Sequence, residues 1–200
     1  MKNRNGLLRM ARFAAAVLLA FGGVARATTL LRMSVEEMAH ASRAIVRARC
    51  VGTSSRWDAG EIWTFASFEV EEAWRGSPAA QITVRLLGGK AGNLTSSVSG
   101  VPRFRPGEEV VLFLEPTPRG DYSVVSWQQG TFRIRRDTAR GREVVTQDTA
   151  AFSTFDPAHR RFETAGIQSM PVEDFRARVA SALQAEGAAV EGAAVEGAAR

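Results

Sequence analysis

Apolar and polar residues alternate along most of the chain between positions 44 and 147, and the stretches on either side follow a helical spacing instead. Ser34 and Glu37 stand at capping-box spacing, where the hydroxyl accepts from the Glu37 amide and the carboxylate reaches back to the serine amide. Val35, Met38 and Ala39 follow as a narrow apolar stripe, which predicts a short helix over 34–43. In AIVRARCVG, Ala44, Val46, Ala48 and Cys50 alternate with Arg47 and Arg49, the period of a half-buried strand. Turn residues from Trp57 to Glu61 precede IWTFASFEVEEAW, whose alternation slips after Val70. A slip of that kind predicts a bulge that bends the strand, as closing a small barrel requires.

QITVRLL is a third strand, ended by Gly88-Gly89, and the glycine- and proline-rich residues 88–107 read as a long loop. EEVVLFLEP is apolar on both faces from Val110 to Leu114, the mark of a central strand. DYSVVSW, GTFRIRR and REVVTQ are shorter strands, and 148–168 has no clear period. Ser169 and Pro171 stand at helix-start positions before Val172, Phe175, Val179 and Leu183, an amphipathic stripe. From 185 to 199 the chain repeats every five residues as AEGAA-VEGAA-VEGAA. That period builds no helical stripe, and each glycine costs a helix about 1 kcal/mol relative to alanine. Residues 185–200 therefore read as a low-complexity disordered tail. Strands around one core, flanked by two helices, predict a small barrel or sandwich, one domain over 28–184.

The N-terminus changes the electrostatic picture. Lys2, Arg4, Arg9 and Arg12 precede an apolar stretch from Phe13 to Val24 and then Ala25-Arg26-Ala27. This is the pattern of a secretory signal over 1–27, cleaved after Ala27, and the stretch is shorter than the ~20 residues that span a bilayer. Those 27 residues carry five basic groups and no acidic one, against 26 basic and 21 acidic in the whole chain. The remainder is balanced, so the argument for a phosphate-bearing partner from net charge is lost. The expected product is exported, periplasmic or extracellular, with no transmembrane segment after cleavage. Its single cysteine, Cys50, allows no intramolecular disulfide.

Candidate chemistry is sparse. His40, His159 and Cys50 are not spaced as metal ligands, and neither HExxH nor CxxC occurs, so no metal and no cofactor are expected. There is no G-x-S-x-G, and Cys50 shares the apolar face of its strand, where a thiol acts as a small hydrophobe. The pairs Glu36-Glu37, Glu71-Glu72 and Glu108-Glu109 read as solvated, with members pointing apart. A glycosidase pair distant in sequence stays open. Trp57, Trp63, Phe65 and Trp127, with the arginines from Arg133 to Arg142, resemble a stacking surface only in composition, and no nucleic-acid partner is expected.

SGVPRFRPGEEVVLFLEP holds the remaining candidates. Pro106-Gly107 places a turn before Glu108, and Phe104 is free to fold inward while Arg103 and Arg105 stay wet. Residues 89–105, with Asn93, Arg103, Phe104 and Arg105 as binding residues, are the expected partner-binding loop.

The segments ASRAIVRARCVG, FASFEVEEAWRG, RPGEEVVLFL and SWQQGTFRI, in this order, resemble a family of uncharacterised exported bacterial proteins over roughly 30–180. The strand order and the VEEAWRG strand end are also similar to the netrin-like OB barrel of tissue inhibitors of metalloproteinases. That resemblance implies a mainly β fold, a five- to six-stranded OB-like barrel with a short N-terminal and an amphipathic C-terminal helix. In those inhibitors a disulfide-anchored N-terminal cysteine chelates the protease zinc, whereas cleavage here would expose Thr28-Thr29. The functional expectation is an exported, non-enzymatic module that binds an exported or envelope protein. The alternatives are an envelope hydrolase with a dispersed carboxylate site and a protease-inhibitor-like domain.

Overall fold

The computed structural model of the chain describes residues 31–149, 154–156, 160–163 and 166–198. The signal segment, Thr28 and His159 lie outside the described residues. Helix α1 (Val35–Ala41) begins on the expected capping box, with the Glu37 amide donating to Ser34 Oγ at 3.1 Å and the Ser34 amide donating to Glu37 Oε2 at 2.7 Å. Strands β1 (Ala44–Asp58) and β2 (Glu61–Arg75) form a long antiparallel hairpin. Arg47 faces Glu72 while the next residue, Ala48, faces Val70, so Glu71 is the extra residue of the bulge expected after Val70. A second slip near Trp74 bends β2 again.

Strand β3 (Gln81–Leu87) pairs with β2, and the hairpin of β4 (Gly89–Ala91) and β5 (Leu94–Ser96) follows it. Residues 88–107 are thus not all loop, as expected from composition. Gly92-Asn93 is a two-residue hairpin turn between strands too short to show an alternating pattern. Strand β6 (Glu109–Pro116) is central: β1 covers one of its edges, while β7 (Tyr122–Val124) and β8 (Thr131–Asp137) share the other. A 3₁₀ turn at Trp127–Gly130 separates those two. Because β7 also runs parallel to β3 at Val84, the strands β1, β2, β3, β7 and β6 make a ring-like sheet. Beyond β8 come β9 (Arg142–Gln147), the separate pair β10 (Thr154–Asp156) and β11 (Arg161–Glu163), and β12 (Met170–Pro171) on β9.

Among the described residues the fold is mainly β with two helices, and its two cores share strands β1 and β6. Val46, Ala48, Phe68, Val84, Val110, Leu112 and Leu114 pack inside the ring. On the other face Ile45, Val111, Phe113 and Phe132 meet Met38 of α1 and Phe175 and Val179 of helix α2 (Val172–Ala198). Strand β6 has to be apolar on both faces because each face closes a different core. The second core is aromatic, with Phe132 and Phe175 ring centroids 4.5 Å apart. Buried Gln129 ties down the chain entry, accepting from the Met33 amide at 2.9 Å and donating to the Leu31 carbonyl at 2.7 Å.

Helix α2 runs on to Ala198, past the start of the five-residue repeat. Glu186 in the first repeat accepts from Arg75 at 2.8 Å and lies 3.3 Å from His40 Nδ1. Alanine and glutamate between the glycines are strong helix formers, so one docked turn suffices to carry the helix on.

Candidate functional site

A cleft of about 210 Å³ opens where β3 ends. Its floor is Leu86 and Leu87; one wall is the β4–β5 hairpin with Lys90, Thr95 and Ser96, and the other is the segment Val98–Phe104. Each wall is held by specific contacts. Thr64 on β2 donates to the Gly88 carbonyl at 2.7 Å and lies 2.8 Å from Ser55 Oγ across the hairpin. Gly89 has φ +134 and sits against both hydroxyls, where a Cβ would collide with them, so only glycine lets β4 dock there.

The opposite wall rests on Phe104, which is buried and meets Phe68 edge-on at 5.0 Å. Arg133 of β8 braces this segment by donating to the Arg103 carbonyl at 2.8 Å, with its guanidinium 5.7 Å from the Phe104 ring. Glu108 at 2.6 Å and Asp148 at 2.7 Å hold Arg133 in turn. Gln128 donates its amide to the Gly100 carbonyl at 3.1 Å. After the wall, Arg105-Pro106-Gly107-Glu108 makes the expected turn: the Glu108 amide donates to the Arg105 carbonyl and Gly107 has φ +87.

The structure divides the four expected binding residues. Arg103 and Phe104 line the cleft, Phe104 as its base and Arg103 as an exposed rim residue. Asn93 is exposed in the turn at the hairpin tip, and Arg105 is exposed beyond the wall; neither lines the cleft. Sequence reasoning did not single out Lys90, Thr95 and Val101. The Gly92-Asn93 turn was the one local signal for the hairpin that carries Lys90 and Thr95.

The second concentration of polar groups lies on the outer face of β1. Arg47 reaches Glu143 at 2.9 Å, Glu109 at 3.1 Å and Glu71 at 3.2 Å, and Arg49 adds contacts to Glu109 at 2.6 Å and Glu71 at 3.1 Å. The hydrogen bonds that Arg47 donates to Glu143 and Glu109 hold its guanidinium more firmly protonated than usual. Depressions of about 440 and 490 Å³ border this cluster, and carboxylates of Glu108, Glu109, Glu143, Glu72, Glu173 and Asp174 line them. The adjacent pairs diverge and stay partly solvated, while also meeting arginines: Glu72 meets Arg176, Glu108 meets Arg133 and Glu36 meets Arg178.

The other sequence candidates have structural roles. Cys50 is buried in the inner core, and burial pushes its thiol pKa up, away from the nucleophilic thiolate. Arg85 lies 4.2 Å over the Trp63 ring and Arg56 lies 3.7 Å over Phe65, so both rings are covered, while Trp57 is exposed. Trp127 packs against the inner core. Among the described residues no group of three or more His, Cys, Asp or Glu side chains is placed to hold a metal ion. No described helix is long and apolar enough to cross a membrane. No protein-family model matches the chain, and a search of curated proteins finds no match.

Proposed function

We propose that this is an exported, non-enzymatic binding module, a small OB-like barrel that engages an exported or envelope protein at the cleft between the β4–β5 hairpin and Val98–Phe104. One observation carries this reading. The cleft has apolar and polar lining on a braced scaffold, and among the described residues no His, Cys, Asp or Glu lines it. Such a surface offers contact area, and its hydroxyls on Thr64, Thr95 and Ser96 have no His, Asp or Glu base beside them in the described lining. The ring-like strand order and the bulges of β2 favour the OB-like description. The signal-like residues 1–27 favour export.

A photo-crosslinking residue at Thr95, on the rim, is expected to capture a partner protein in native envelope material. The same residue at Arg142, beside the charged depression, is expected to capture none. Equal capture at both positions, or none at Thr95, would reject the assignment of binding to this cleft.

A second reading, hydrolysis, draws on the carboxylates that gather around Arg47. A general acid needs a carboxyl free to face a substrate, whereas Glu71, Glu109 and Glu143 are each already paired with Arg47. Loss of a measured hydrolytic activity in both Glu109→Gln and Glu143→Gln would restore this reading. An inhibitor-like role would depend on Thr28, outside the described residues.

A further inference from the structure

The chemistry of the cleft specifies its occupant more closely, and this step rests on the binding role proposed above. A volume of about 210 Å³ exceeds the roughly 150 Å³ that takes up benzene in an apolar cavity, and is below the roughly 300 Å³ where sites for whole small molecules begin. One large apolar side chain fits against Leu86, Val101, Pro102 and Phe104.

Charge supplies the second constraint. Lys90 of the hairpin and Arg103 of the Val98–Phe104 segment both line the cleft and are exposed, and among the described residues no carboxylate lines it. Arg103 donates to the neutral Ser97 hydroxyl at 2.8 Å, and neither cation has a carboxylate partner among the described residues. Elsewhere the molecule neutralises its buried and half-buried arginines: Arg47, Arg75, Arg85 and Arg133 each meet at least one acid. Two cations without an acid partner among the described residues, on the lining of one partly apolar cleft, complement a ligand that brings an apolar group flanked by negative charge.

We infer that the cleft takes an acidic peptide segment of a partner protein, seating one large apolar side chain against Phe104 and pairing the flanking carboxylates with Lys90 and Arg103. The cations sit at the rim in water, so they select among partners and speed encounter, while the buried side chain holds the complex. Binding is accordingly expected to weaken as salt screens the rim.

The experiment uses the full chain and three short labelled peptides, followed by fluorescence anisotropy at low and at high salt. One has glutamates flanking a central leucine, one has lysines flanking the same leucine, and one has glutamates flanking alanine. The glutamate–leucine peptide is expected to bind about tenfold tighter than the lysine–leucine peptide, two exposed ion pairs of up to about fivefold each. The alanine peptide is expected to lose most of the remaining affinity. In the double variant Lys90→Glu, Arg103→Glu the preference should reverse toward the lysine peptide, an outcome that misfolding cannot produce.

Equal binding of the acidic and basic peptides, or an unchanged preference in the double variant, overturns the inference. If Thr95 still captures a partner in that case, the binding role survives without the acidic specificity. No peptide binding together with no capture removes both.

Discussion

The two places where charge gathers on this molecule are built in opposite ways. Around Arg47, two arginines and three glutamates on β1, β2, β6 and β9 satisfy one another within 3.2 Å. At the cleft, Lys90 and Arg103 stand exposed, with no acid in the lining among the described residues. The first arrangement spends its charge on holding strands in register. The second leaves its charge without an acid partner among the described residues. Counting arginines cannot tell these apart; what matters is whether each one has an internal acid.

The comparison breaks most visibly at the base of the cleft. Phe104→Ala removes a buried ring that joins the cleft wall to the inner core, and is expected to cost about 3–4 kcal/mol in a urea titration. A cost below about 1 kcal/mol would mean that the wall is not part of the core.

Arg47→Ala leaves Glu71, Glu109 and Glu143 close together without their shared cation. The side chain is only 17 % exposed, and the expected loss is about 2 kcal/mol, between exposed and buried ion pairs. High salt should recover part of that loss by screening the glutamates from one another. Recovery to wild-type stability by Arg47→Met instead would show that the site needs bulk rather than charge.

A smaller effect is expected from pH. The hydrogen bond from Arg178 holds the Glu36 carboxyl below its ordinary value of 4.5. A depressed carboxylate contributes stability that is fully present above 4.5 and is lost as pH falls through the lower folded value. The pair joins α1 to α2 at the surface, so the contribution is about 0.5 kcal/mol. Arg178→Gln should flatten that part of the acid limb, and an identical acid limb in the variant would show that the helices do not depend on the pair.

The smallest effect sharpens the contrast. Arg103→Ala and Lys90→Ala are expected to change stability by less than about 0.5 kcal/mol, because neither cation meets an internal acid among the described residues. A destabilisation as large as that of Arg47→Ala would place Arg103 in the scaffold and remove it from the ligand site.

The amino-acid sequence by itself determined the local elements. Ser34 with Glu37 starts α1, the slip after Val70 locates the bulge, Pro106-Gly107 makes the turn, and the doubly apolar β6 sits between two cores. Each follows from neighbours a few residues apart, where periodicity and turn chemistry act. Tertiary structure alone decided which charges are spent. Arg47 and Glu143 are 96 residues apart, and Arg75 and Glu186 are 111 apart, so no local pattern announces that they meet. The second of those contacts also carries α2 into a repeat whose own period favours no helix. The cleft has the same origin: Phe104 lies 36 positions from Phe68, and their contact sets the Val98–Phe104 segment beside the β4–β5 hairpin so that Lys90 and Arg103 line one cleft. Local signals fix where the chain bends and which face is wet; whether a wet charge is neutralised depends on what the rest of the fold places beside it.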